Sequence, residues 1–168
     1  MAGIVLASKS PRRQELLKNI GILDYLQFDG FAYRLVPIKT TYESATEIGR
    51  IDSDYLYDVY MNRARYGNVK DESVYVDNFS RYNINSTQVR GGFARLAQQL
   101  ALEGQNEKAV EVLDRVMEEL PLSQLPHNYQ SFPLIDAYYL AGANEKGDEL
   151  ARHFAHDITQ KLYDYFTF

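Results

Sequence analysis

Apolar residues recur every three to four positions through the second half of the chain. Phe93, Leu96, Ala97, Leu100 and Ala101 fall at i, i+3, i+4, i+7 and i+8, one stripe of an amphipathic helix. "EGQN" (103–106) breaks the stripe: Gly104 suits a left-handed cap and Asn106 suits the start of the next helix. Ala109, Val110, Leu113, Val116, Met117 and Leu120 form a second stripe, which Pro121 stops. Two amphipathic helices joined by so short a turn must lie side by side and antiparallel.

The pattern then repeats. "EGQNEK" (103–108) is echoed by "AGANEK" (141–146), which carries Gly104 to Gly142, 38 positions on. An apolar run, 134–140, precedes the second turn, and Leu150, Phe154, Ile158 and Leu162 follow it at intervals of four. Repetition at such a period marks stacked helical hairpins. A unit started at Arg90 resembles a tetratricopeptide repeat. Phe93, Leu96, Ala97 and Leu100 take the large and small positions of its first helix; Ala109, Leu113 and Pro121 fit the second. A unit started at Asn128 is more degenerate, with Leu134, Tyr138, Ala151 and Phe154 in place and Gly147 where Ala is usual. That glycine predicts a close helix crossing.

Upstream the periods shorten. Residues 54–65 read as a helix carrying Leu56, Val59, Tyr60 and Arg63 on one side, with Ser53 as its cap and Gly67 as its stop. "GFAYRLVPI" (30–38) alternates like a strand, and Pro37 confines it to an edge or an end. Residues 73–78 read as a short extended piece and 78–88 as polar loop or capping material, with Gly91 and Gly92 as a hinge into the first repeat. The fold class expected is therefore mainly α: tetratricopeptide-like antiparallel helical hairpins with a small mixed α/β N-terminal part. The domains expected are 1–23, 24–89 and 90–168.

Composition narrows the function. With 168 residues and 45% hydrophobic content the chain can bury a core, and its mean hydropathy of −0.40 is that of a soluble protein. A net charge of −5 argues against nucleic acid as a partner. The absence of cysteine excludes disulfides and thiolate zinc sites but sets no compartment. The apolar run 3–7 is too short for a signal peptide, and nothing approaches the roughly 20 residues of a membrane span. As written, the chain is expected to be cytoplasmic and not inserted into a membrane. Tyrosine is abundant, 14 residues against eight Phe and no Trp. They cluster at 55, 57 and 60 and at 138, 139, 163 and 165, and such residues make binding surfaces; helical spacing favours the alternative, that most are wedges in a small core.

"IVLASKSPRRQELL" (4–17) reads as an apolar strand, a polar turn and a helix start. Ser8, Ser10, Arg12 and Arg13 would gather at a helix N-terminus, where backbone amides and guanidinium forks grip anions. The stretch 4–22 resembles the N-terminus of the Maf-type nucleotide pyrophosphatases. That resemblance implies phosphate binding by Ser8, Arg12 and Arg13. The family's later acidic stretch, its Gly-Lys-Pro-like loop and its Ser-Gly…His…Thr segment do not follow here. A clamp without an acid or base binds but does not hydrolyse.

From Tyr25 the resemblance changes. "YLQFDGFAYRLVPIKT" (25–40), "GRIDSDYLYDVYMNRARYGN" (49–68) and "FARLAQQLALEGQNEKAVEVLDRVMEELP" (93–121) are similar to the soluble C-terminal tail of a family of bacterial multispanning membrane proteins of unknown function. The membrane part of that family is reminiscent of protein O-mannosyltransferases. The resemblance spans 25–168 and implies a tail with tetratricopeptide-like helices outside the inner membrane. The join near 21–24 reads as a seam where a Maf-like start, by fusion or by artefact, meets a tail domain.

His153, His156 and Asp157 lie at i, i+3 and i+4 on one helical edge. They lack a fourth ligand, and no metal or other cofactor is expected. The function expected is a non-enzymatic protein-interaction or docking module whose partner is a protein or peptide, its own parent membrane domain included. The alternative is a Maf-like nucleotide pyrophosphatase or its degenerate nucleotide-binding remnant. Hairpin stacks present a groove from their first helices, so Arg95, Gln98, Gln99, Asp136 and Tyr139 are the candidate groove residues.

Overall fold

The computed structural model describes residues 5–6, 19, 21–40, 48–84, 89–128 and 131–167. The chain is mainly helical with a small mixed sheet near its start, and it divides into two compact units, 1–62 and 63–168. Residues 63–89, which the sequence pattern groups with the segment before them, cluster with the hairpins.

In the first unit four short strands form a sheet: β1 (Val5–Leu6), β2 (Leu26–Phe28), β3 (Tyr33–Leu35) and β4 (Arg50–Ile51), in the order β1-β3-β2-β4. β3 pairs antiparallel with both neighbours, and β4 runs parallel to β2 with Phe28 opposite Ile51. The strand read from 30–38 shrinks to three residues, and Phe31 lies exposed outside it. Thr40 ties the sheet's end: its hydroxyl donates to the Asp24 and Leu26 carbonyls at 3.0 and 2.9 Å.

Helix α1 (Ser53–Asp58) continues as a π-helical turn, Val59–Arg63. Its cap is Asp52 rather than the expected Ser53, because the Asp52 carboxylate accepts from the Tyr55 amide at 3.1 Å. Leu56 and Tyr60 are fully buried, and the Tyr60 hydroxyl donates to the Gly30 carbonyl at 3.1 Å.

In the second unit the polar stretch expected to be loop contains helix α2 (Asn78–Ile84). Asp77 starts it, accepting from the Phe79 and Ser80 amides at 2.9 and 3.1 Å, so an Asx cap nucleates a helix that no apolar stripe announces. Helices α3 (Arg90–Leu102) and α4 (Asn106–Glu119) form the first hairpin, α5 (Phe132–Leu140) and α6 (Asn144–Thr167) the second. Gly91 and Gly92, read as a hinge, are buried in the first turn of α3. Asn106 is the first residue of α4, with Gln105 at the cap position.

The predicted stripes of the first hairpin supply most of the core, with Ala101, Val110 and Met117 half-buried, whereas of Leu150, Phe154, Ile158 and Leu162 only Leu150 is buried. Phe93, Leu96, Ala97, Leu100, Ala109, Leu113 and Val116 are fully buried. The two turns are also built alike. Gln105 donates its amide to the Leu100 carbonyl at 2.8 Å and Gly104 to Ala101 at 3.0 Å; Ala143 to Tyr138 and Gly142 to Tyr139 repeat the pattern at 2.9 and 3.0 Å. These are Schellman closures, and they require the left-handed φ of 77° at Gly104 and 76° at Gly142. α5 packs on α3 as well as on α6, so the second hairpin stacks on the first.

Arg90 sits at the base of this stack with no exposed surface. Its Nη2 donates to the carbonyls of Leu120 and Leu125 at 2.8 and 2.9 Å, satisfying the end of α4 and the turn that follows. Its Nε and Nη1 make no hydrogen bond among the described residues, and burial lowers its pKa to about 10.

Candidate functional site

A cleft of about 310 Å³ opens where α4, α5 and α6 meet. α4 contributes Asp114 and Met117, three residues apart and so on one face. The turn after α4 contributes Leu122, and α5 contributes Tyr138. From α6 come Lys146, Glu149, Leu150 and His153, at i, i+3, i+4 and i+7, the spacing that lines up one helical face. The walls are apolar, made by Met117, Leu122, Leu150 and the Tyr138 ring, and the charged groups stand at the rim.

Asp114 is the junction of the three helices. Its Oδ1 accepts from the Tyr138 hydroxyl at 3.1 Å, and its Oδ2 pairs with the Lys146 ammonium at 2.6 Å. Tyr138 is only 3% exposed. Burial, reinforced by the Asp114 carboxylate, pushes its phenol pKa well above the usual 10, which keeps it a hydrogen-bond donor at ordinary pH. The neighbouring Tyr139 points to the other side of α5: its hydroxyl donates to Asp148 at 2.6 Å, and its ring covers Gly147 so closely that a Cβ there would lie 3.0 Å from it. The close crossing predicted at Gly147 is this contact.

Among the five residues proposed for the groove, Gln98 reaches the Pro133 carbonyl at the start of α5, at 3.5 Å, and Gln99 pairs with Glu103, the cap at the end of its own helix, at 2.7 Å. Arg95 is half-buried, Asp136 is exposed, and Tyr139 is committed to α6. Ser8, Arg12 and Arg13, the phosphate-binding candidates, lie outside the described residues. His153 and His156 line an open depression with Glu145, Glu149 and Arg152 beside the cleft. Among the described residues no group of three or more His, Cys, Asp or Glu side chains is placed to hold a metal ion. The cleft residues Asp114, Lys146 and Glu149 carry no motif. The available signal was the second "NEK", which sets Lys146 one turn into a helix facing its predecessor.

No protein-family model, no curated protein and no solved structure matches the chain. Among the described residues no helix is long and apolar enough to cross a membrane.

Proposed function

We propose that the chain is a non-enzymatic docking module, the tetratricopeptide-like tail of a bacterial membrane protein of the glycosyltransferase-like kind that residues 25–168 resemble. It holds a protein or peptide on its stacked hairpins, outside the inner membrane. The observation that carries this reading is the cleft between α4, α5 and α6: apolar walls, a charged rim and a buried tyrosine fixed by a carboxylate. Such a site grips a side chain through burial and orients it through charge. The far end of α6 supports the same reading, because Leu162, Tyr163, Tyr165 and Phe166 are all more than half exposed there. Aromatic residues of this kind are enriched where proteins meet.

The test is selection of a displayed library of random peptides against the full chain, followed by titration of enriched peptides into methyl-labelled protein. Saturable binding that shifts methyl resonances of α4–α6 is expected. The reading fails if nothing is enriched, and also if the full chain releases pyrophosphate from nucleoside triphosphates in a way that depends on Ser8, Arg12 and Arg13.

A further inference from the structure

We propose that the cleft between α4, α5 and α6 receives a basic side chain, lysine or arginine, of the partner polypeptide. The inference rests on the docking reading and names what the cleft recognises.

Lysine and arginine carry a cation on an apolar stem, and the cleft offers the complement to each part. Met117, Leu122, Leu150 and the Tyr138 ring make a wall that an aliphatic stem can cover. Two carboxylates, Asp114 and Glu149, stand at its rim against one ammonium, that of Lys146. Asp114 is already committed to Tyr138 and Lys146. Glu149 is exposed and makes no hydrogen bond or ion pair among the described residues, which leaves its carboxylate to an incoming cation. The adjoining depression adds Glu145 and sets Arg152 beside it, so the combined mouth keeps an excess of one negative charge over Lys146 and Arg152.

Lys146 shows that the geometry suits an ammonium. Its Nζ reaches Asp114 from α6 across the rim, close enough for a charge-assisted hydrogen bond. A second cation entering beside it meets Glu149 three residues further along the same face. The volume matches one side chain with room for its stem, and excludes a folded element.

The probes are n-butylammonium, Nα-acetyl-lysine methylamide and the neutral isostere 1-butanol, each titrated into the full chain with methyl resonances of Met117, Leu122 and Leu150 as the readout. Both amines are expected to produce saturable shifts, tighter than 1-butanol by several-fold and weaker at high salt. Glu149→Gln is expected to weaken both amines about threefold, the size an exposed ion pair supports, and to leave 1-butanol unchanged. Being an exposed conservative change, it keeps the fold. Equal binding of 1-butanol, or no saturable shift from either amine, overturns the proposal. Binding of butylammonium with exclusion of the capped lysine overturns the assignment to a polypeptide. The probes report on the cleft whether or not any library peptide binds. Enriched peptides that ignore both Glu149→Gln and saturating butylammonium would leave docking standing and remove the cleft as its anchor.

Discussion

Tyr138 and Asp114 are joined hydroxyl to Oδ1 at 3.1 Å, across the gap between the second helix of one hairpin and the first helix of the next. Lys146 completes the junction from the opposite oxygen at 2.6 Å. Packing of apolar stripes alone would let the two hairpins slide along each other. This three-way contact sets their register, because each group has a direction that only one alignment satisfies.

Tyr138→Phe keeps the ring and removes the hydroxyl, so it isolates the bond. A loss of about 1 kcal/mol is expected at neutral pH, since half-exposed Asp114 regains water in exchange. The pH dependence carries the sharper signature. The folded state holds the Tyr138 proton above the usual pKa of 10, while the unfolded chain releases it there. Stability from this group is therefore complete below pH 10 and is lost as pH rises beyond it. Urea titrations from about pH 9 to about pH 11 should show a steeper decline for the wild type than for Tyr138→Phe. Parallel curves would mean the phenol titrates normally.

The hairpins were legible because a helix that buries one face writes that face at a period near 3.6. Phe93 to Leu100 and Ala109 to Val116 do so, and Phe93, Leu96, Ala97, Leu100, Ala109, Leu113 and Val116 are fully buried. Gly104 and Gly142 were legible because a Schellman turn needs a left-handed residue. Helix Asn78–Ile84 was hidden because it has no apolar stripe; its only sign is Asp77 followed by Ser80, a cap that reads equally as a turn. The three-residue strands were too short to show a period. The cleft was illegible for a different reason. Asp114 and Lys146 are distant in sequence, and only the stacking of α5 on α3 and α4 brings them together. The phosphate-binding reading of Ser8, Arg12 and Arg13 concerns residues outside those described.

Gly147→Ala tests the crossing of α5 and α6. The added methyl would meet the Tyr139 ring at 3.0 Å, inside any ordinary carbon contact. In a free helix alanine is the better residue by close to 1 kcal/mol, so a gain would be expected if the ring could move aside. Tyr139 is held by its hydrogen bond to Asp148, and a fall of several degrees in Tm is expected instead. Tyr139→Ala in the same chain should recover the helix-propensity gain. A double mutant no more stable than Gly147→Ala would place the strain elsewhere.

Arg90→Ala should be among the most damaging single changes in the helical unit. It opens a cavity at a fully buried site and leaves the Leu120 and Leu125 carbonyls without their donor. Together these cost about 3–5 kcal/mol. Arg90→Met separates the two effects, since it fills most of the volume, orphans the same carbonyls and removes a charge whose burial is itself unfavourable. About 1–3 kcal/mol is expected for it in denaturant titrations. Equal losses for both variants would show that the carbonyl clamp, and not the packed volume, is what Arg90 supplies.

His127 links the segment before α5 to α6. Its ring lies edge-on to Phe154 at 5.6 Å, its Nδ1 shares a 2.9 Å hydrogen bond with Ser131, and Lys161 donates to its backbone carbonyl at 3.0 Å. Phe132 also packs against Phe154, with ring centroids 4.5 Å apart. Burial is the main force lowering the imidazole pKa to about 4. Asp157 opposes it, while Arg90, His153 and Lys161 add repulsion. The unfolded chain takes up the proton near pH 6.5, well before the folded chain does. Stability from neutral His127 is thus present above pH 6.5, falls as pH drops toward 4, and levels off below it. The shift corresponds to up to about 3 kcal/mol, a large part of the stability of a typical domain. His127→Gln keeps a polar group near Ser131 but does not titrate, and should flatten the curve across this window. Amide exchange locates the effect: protection in the second half of α6 should fall with acid in the wild type and hold steady in His127→Gln. Uniform loss of protection in both proteins would assign the acid sensitivity to other groups.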